Sequence, residues 1–157
     1  MRPISNGQCL IRLDWNQIGW DDLDHPDNVS RETKSQLEAF FAGNLQQFNL
    51  PLAPAGKSAT GHQWLEVMAR IPYGTVVTYA EFAALAAKPK AARAAGSVCA
   101  SNPIPIIYPC HRIIRADRSL GNYSGGNSQH PTHPDNLARK GDLLRLEASN
   151  AVNAAEA

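Results

Sequence analysis

One decapeptide holds most of the chemistry a reader would look for. Residues 105–114, PIIYPCHRII, set a thiol, an imidazole and a guanidinium side by side at Cys110, His111 and Arg112 inside an apolar run. A buried strand has no use for the last two groups. A thiolate is a strong, soft nucleophile, and a neighbouring imidazole or cation brings its pKa into a useful range. Adjacency along the chain does not by itself put side chains in contact, so the tetrapeptide leaves two readings open: a structural cysteine beside a surface His and Arg, or a delivered nucleophile. A cysteine-protease arrangement would need a separate His and an Asn or Asp, and no family signature for it is present.

Other chemistries find less support. Cys9, Cys99 and Cys110 are odd in number and widely spaced, unlike a disulfide framework. There is no CxxC and no HExxH, and Cys9, His25 and His62 lack an evident fourth ligand, so no metal and no cofactor are expected. No apolar run approaches the roughly 20 residues of a membrane span. The N-terminus MRPISNGQCL has no signal core, and the chain is read as cytoplasmic, or nuclear if eukaryotic. The formal net charge of +1 hides an asymmetry: residues 1–69 carry five Lys/Arg against eight Asp/Glu, and residues 70–147 carry ten against five. The second half is where a polyanion would bind.

The elements that must position the cysteine follow from periodicity and breakers. Residues 9–15, CLIRLDW, read as a short strand, and DDLDHPDN (21–28) as a loop. A helix is expected from Ser30, capped by that residue, with Leu37, Phe40 and Phe41 on one face and a stop at Gly43. The Pro- and Gly-rich 49–61 reads as a linker. A second helix covers roughly 60–70 and ends before PYG. Thr78 and Glu81 form a T-x-x-E capping box that opens a third helix, and Lys88-Pro89 breaks it. Pro89 is placed as the first residue of a fourth helix running to about Cys99, which gives a helix-turn-helix pattern. That fourth helix is made of small residues around a single long one, Arg93, so it has few side chains to read base edges. A last helix spans about 136–147, weakened by Gly141, and 148–157 reads as a frayed tail.

Taken in order, IPYG, the TY opening the third helix, KAARA, NPIPI, PCHR and GNYSGG resemble the O6-alkylguanine-DNA alkyltransferases, the single-use DNA-repair methyltransferases. The resemblance covers about residues 48–147 and is weak before that. It implies an α/β (α+β) fold: a small ribonuclease H-like N-terminal subdomain over 1–56, a mostly helical catalytic and DNA-binding domain over 57–148, and a disordered tail over 149–157. It implies double-stranded DNA containing O6-alkylguanine as partner, a monomer, minor-groove binding and extrusion of the damaged base. An alkyl group would pass from O6 of guanine, and from O4 of thymine, to Cys110.

In that scheme His111 is the base acting through a water, Glu147 orients it, Tyr79 donates to the leaving guanine, and Asn102 fixes the turn between helix and cysteine. Arg93 would fill the vacated stack. Ala92 and Ala94 would allow close approach to DNA, Tyr123, Ser124 and Gly125 would hold the base, and Arg112 would contact DNA.

The chain departs from the family near Ala59-Thr60, where an F-Q pair is usual, and over 127–136, an insertion expected to loop into solvent with His130 and His133 exposed. Cys99 is expected to be a packing residue. The alternatives are a lesion-recognition protein without transfer, disfavoured because Cys110, His111 and Glu147 are all present, and an alkylation-sensing regulator, for which the chain has no extra domain.

Overall fold

The structure is a computed structural model that describes residues 1–15, 26–124 and 130–156, with side chains to 151. It is a mixed α and β fold, as expected. Strand β1 (Arg2–Ser5) pairs antiparallel with β2 (Leu10–Asp14), and the turn between them is tightened by Asn6, whose carboxamide accepts from the N–H groups of Gln8 and Cys9. The first strand is missed by the sequence reading. RPIS is short and half polar, and only its pairing to β2 makes it a strand.

The expected linker is not free chain. Residues 51–55 lie along β2, with Leu10 N–H donating to Pro51 C=O and Ala53 N–H donating to Leu10 C=O. Pro51 lacks an N–H but keeps an acceptor, so a Pro-rich segment can serve as a sheet edge.

Helix α1 (Asn28–Phe41) buries Leu37 and Phe40 against this sheet. Its cap is Asp27, not Ser30. The Asp27 carboxylate accepts from the Ser30 N–H at 2.8 Å, and Ser30 is buried within the first turn. Both residue types cap well, and the acceptor has to stand two or three residues ahead of the N–H it satisfies. Helix α2 (Ala59–Ala69) is capped by Ser58 and buries Trp64, Leu65 and Met68. Ala59 and Thr60 are exposed there, so the departure at that point does not disturb packing.

The Thr78–Glu81 capping box is present in full and opens α3 (Tyr79–Leu85) directly after a two-residue strand, β3 (Val77–Thr78). Helix α4 (Ala92–Ala100) starts three residues later than expected. Ala87 takes φ 56° and the Ala91 N–H returns to Lys88 C=O, so Pro89 is spent in the turn rather than in the helix. Helices α3 and α4 pack against each other. After α4 the chain makes a 3₁₀ turn at Cys110–Arg112 and strand β4 (Ile113–Ile114), parallel to β3.

Helix α5 runs from Pro134 to Glu156. This corrects two expectations: it begins inside the supposed insertion loop, and residues 149–156 are helical rather than disordered. Pro134 suits a first helical position, and the last stretch is rich in alanine and free of Gly and Pro. A single core joins Leu10, Leu13 and Phe40 to Trp64, Phe82, Ile104 and Ile113. Among the described residues no helix is long and apolar enough to cross a membrane.

Gly141 lies mid-helix, and a Cβ there would meet the flexible end of Arg145 at 3.4 Å and Leu120 at 3.7 Å. Gly141→Ala is therefore expected to raise the unfolding free energy by about 0.5–1 kcal/mol in a urea titration, with the slope unchanged.

Candidate active site

The turn after α4 is held by one side chain. Asn102 Nδ2 donates to Tyr108 C=O at 2.8 Å, and its Oδ1 accepts from the Ile104 N–H at 3.0 Å. Between these anchors Ile106 sits at φ 74°, a left-handed conformation that costs a β-branched residue roughly 1–3 kcal/mol. The same Nδ2 lies 3.2 Å from Cys110 Sγ. Asn102 thus ties the end of α4 to the segment that leads into Cys110, and also presents an N–H to the sulfur.

Cys110 is 2% exposed and opens onto a cavity of about 440 Å³, within the range of small-molecule sites. Tyr79, Ala92, Arg93, Tyr123 and Ser124 share its wall. Ala94 lies on the exposed side of α4 and lines no part of it, and Gly125 lies outside the described residues, as does His25. The Ser124 hydroxyl donates to Ala100 C=O at 2.9 Å, tying the GNYS loop to the end of α4. Tyr79 projects from the first turn of α3, and burial first, then the nearby thiols, push its hydroxyl up to about 12. It remains a protonated donor at neutral pH.

Behind the cysteine is a closed electrostatic unit. His111 is fully buried and its Nε2 lies 2.7 Å from Glu147 Oε1. An ionised carboxylate only accepts, so Nε2 carries the proton and Nδ1 is a bare acceptor. Nδ1 has no hydrogen-bond partner among the described residues. Burial lowers the His111 pKa, against the pull of Glu147. Burial likewise raises that of Cys110, against the Asn102 hydrogen bond and the charge of Lys140. Both are neutral at rest, which is the required starting state for proton transfer from sulfur to imidazole.

Glu147 also accepts from Arg112, through Nε at 2.8 Å and Nη2 at 2.8 Å, and from the Gly74 N–H at 3.1 Å. Burial alone would raise its pKa, but the bonds from His111 and Arg112 hold it at about 2. The PYG turn is explained by this contact: Gly74 has φ 73°, and a Cβ there would come within 2.7 Å of Ala151.

Arg112 is the correction here. It is 6% exposed, its Nη1 donates to Ile71 C=O at 2.6 Å, and it neutralises Glu147 instead of facing a ligand. A basic residue next to a nucleophile reads as a substrate contact, yet the 3₁₀ turn directs it inward to meet α5.

Lys140 and Pro131 escape the sequence reading, and Cys99 does more than it was expected to. Lys140 on α5 is fully buried with no carboxylate partner among the described residues, and its Nζ is held by Ile113 C=O and Leu120 C=O at 2.6 Å each and by Asn122 C=O at 3.2 Å. It shares a helical face with Leu143 and Glu147, and that spacing was a usable signal for a buried cation. Cys99 is a packing residue, as expected, but it also lines the cavity, and burial followed by the charge of Cys110 raises its pKa. Pro131 belongs to the wall too, and its C=O accepts from the Tyr123 N–H at 2.9 Å. The described end of the insertion is therefore built into the site rather than looped into solvent. His130 is exposed, as anticipated, whereas His133 is half-buried.

Residues 60–149 match the family described as 6-O-methylguanine DNA methyltransferase, DNA binding domain. A methylated-DNA–protein-cysteine methyltransferase of Methanosarcina barkeri is 42% identical over 120 residues, covering 76% of this chain and 69% of that protein. One from Haemophilus influenzae is 40% identical over 151 residues, 92% of this chain and 78% of that protein. The crystal structure of Mycobacterium tuberculosis OGT in complex with DNA superposes with a TM-score of 0.77 at 32% identity, over 94% of this chain and 86% of that one. A thiol backed by His111 and Glu147, the match over α2 to α5 and the near full-length similarity together place the chain in the methylated-DNA–protein-cysteine methyltransferase family.

Proposed function

We propose that the chain repairs DNA by moving an alkyl group from O6 of guanine to Cys110, once per molecule. The observation that carries this is the pairing of a cavity-facing thiol with an imidazole whose Nε2 is anchored on a carboxylate and whose Nδ1 is uncommitted. The thiol proton passes to His111 Nδ1, directly or through one water, and Glu147 stabilises the imidazolium. The sulfur attacks the alkyl carbon. The S–C bond forms as the C–O6 bond breaks, and guanine leaves with the bonding pair. Tyr79 donates a proton to the departing base and is itself reprotonated, so the net proton moves from sulfur to guanine. The thioether has no leaving thiolate, so the reaction does not turn over. The same exchange from O4 of thymine needs no other group.

The lesion reaches a cavity beneath the surface only if its nucleotide swings out of the duplex. The exposed face of α4 carries Ala92, Ala94 and Arg93. Small side chains suit close approach to the minor groove, and Arg93, at the cavity mouth, can occupy the vacated stack. This makes α3 and α4 a helix-turn-helix that binds without reading sequence. The protein acts as a monomer in the compartment that holds the DNA.

Intact-protein mass spectrometry after incubation with a duplex carrying one O6-methylguanine tests the reading. One methyl mass per protein on Cys110, absent in Cys110→Ala, is expected. Tight lesion binding with no mass change would leave a recognition protein in its place.

A further inference from the structure

The N-terminal ribbon reaches the wall of the cavity through the side chain of Trp15. Trp15, just beyond β2, is half-buried, and its indole N–H donates to the Tyr123 hydroxyl at 3.4 Å, across 108 positions of sequence. The ring is clamped. The Arg139 guanidinium lies 5.3 Å over its face, and Phe41 meets its edge at 6.5 Å and 67°. Arg139 is in turn held by Asn136 Oδ1 at 3.1 Å. Tyr123 is 3% exposed, its backbone N–H is fixed on Pro131, and the partner of its hydroxyl among the described residues is Trp15.

A phenol pinned at its backbone and at its oxygen cannot change rotamer freely. Because the indole donates, the phenol oxygen uses a lone pair and its own hydrogen stays available. The wall that Tyr123 offers beside Cys110 is therefore set from the N-terminal subdomain, outside the segment that carries the motifs.

We propose that Trp15 is a positioning residue for Tyr123, and that it fixes the shape of the cavity wall facing the alkyl group and so the preference between small and bulky groups. The inference rests on the alkyl-transfer reading above. Its chemistry is ordinary: a hydrogen bond and a cation–π clamp restrain an aromatic wall, and a looser wall positions a small methyl carbon less well while admitting a larger group.

Trp15→Phe keeps an aromatic ring for Arg139 and Phe41 and removes the N–H. Tyr123→Phe removes the acceptor. Single-turnover rate constants at saturating DNA, with O6-methylguanine and O6-benzylguanine duplexes, are measured for the wild type, both variants and the double variant. Each single variant is expected to slow methyl transfer about 3- to 10-fold, a loss of one modest hydrogen bond, and to raise the benzyl-to-methyl rate ratio at least 3-fold. The dissociation constant for DNA should not move in Trp15→Phe. The double variant should be no slower than Tyr123→Phe alone, because both remove the same interaction.

Multiplying losses, or a wild-type ratio in Trp15→Phe, would overturn the inference, since a purely structural Trp15 lowers stability without altering the ratio. A wild type that transfers no alkyl group at all would overturn the functional reading itself, and that arm is scored separately.

Discussion

Glu147→Gln is expected to lower the unfolding free energy by about 3 kcal/mol at neutral pH and to slow alkyl transfer by about 100-fold or more. The stability figure follows from the carboxylate itself, held at about 2 against an ordinary 4.5, a difference worth about 3 kcal/mol at 1.36 kcal/mol per unit. The physical origin is that His111, Arg112 and the Gly74 N–H all converge on one buried carboxylate. A neutral amide leaves the Arg112 cation buried without a counter-charge, the costly half of breaking an internal ion pair.

The pH dependence has a defined sign. A depressed carboxylate pKa means the unfolded chain takes up a proton between about pH 4.5 and pH 2 that the folded chain refuses, so stability is full above that window and is lost as pH falls through it. His111 acts in the same direction from below its ordinary 6.5, because the folded state resists charging it. Denaturant titrations from pH 7 to pH 2 should show the acid limb flattened by about 3 kcal/mol in Glu147→Gln. The rate loss comes from a different step. Without the carboxylate the imidazole loses both its fixed tautomer and its stabilisation as imidazolium, and general-base assistance of this kind is worth about 100- to 10,000-fold. A variant as stable and as fast as the wild type would show that the Glu147–His111 contact is incidental.

What could be read in advance was local. The capping box at Thr78 and Glu81 is a rule about four consecutive residues, and it is present in full. Helix α2 was equally legible, because its apolar spacing and the PYG turn after it set its extent. Errors arose where two local rules competed. Asp27 and Ser30 are both good caps, and Pro89 suits a turn as well as a helix start. The site divided in the same way. Cys110, His111 and Asn102 sit in one short stretch, so their motifs carried them. Arg112 was misjudged because its partner lies 35 residues away on α5, and only packing turns it inward. Trp15 is still more remote from Tyr123, and no periodicity relates the two. The insertion looked solvent-bound because it is polar, yet one backbone carbonyl, at Pro131, is enough to enlist its end in the wall. Composition tells where a side chain prefers to be, and says little about which backbone groups a loop brings back to the core.

Lys140 gives the second large effect and the sharpest contrast with its sequence appearance. A lysine in an amphipathic helix is ordinarily a solvated charge, but this one is fully buried, bonded among the described residues to three carbonyls, and lies 5.9 Å from the centre of the Tyr79 ring. Burial lowers its pKa to about 8, against the opposing pull of the Cys110 and Cys99 sulfurs. At neutral pH it is therefore a cation whose most useful counter-charge is one that exists only transiently, the Cys110 thiolate. Lys140→Met removes that stabilisation and keeps the bulk of the stem. Transfer at pH 7 should slow about 10- to 100-fold, equivalent to 1.4–2.8 kcal/mol, and the pH at which iodoacetamide alkylates Cys110 half-maximally should move upward.

Stability responds with the opposite pH window from Glu147. Between about pH 8 and pH 10.5 the unfolded lysine keeps a proton that the folded one has shed, so the wild type gains up to about 3 kcal/mol across that range, a gain the Met variant lacks. At pH 7 two changes oppose each other in the variant: the buried charge is gone, and three carbonyls lose a donor. Activity should consequently fall far more than stability does. An unchanged thiol reactivity profile alongside a slowed transfer would move the action of Lys140 from the nucleophile to the leaving base, through the carbonyls of Leu120 and Asn122 that it holds in place beside Tyr79.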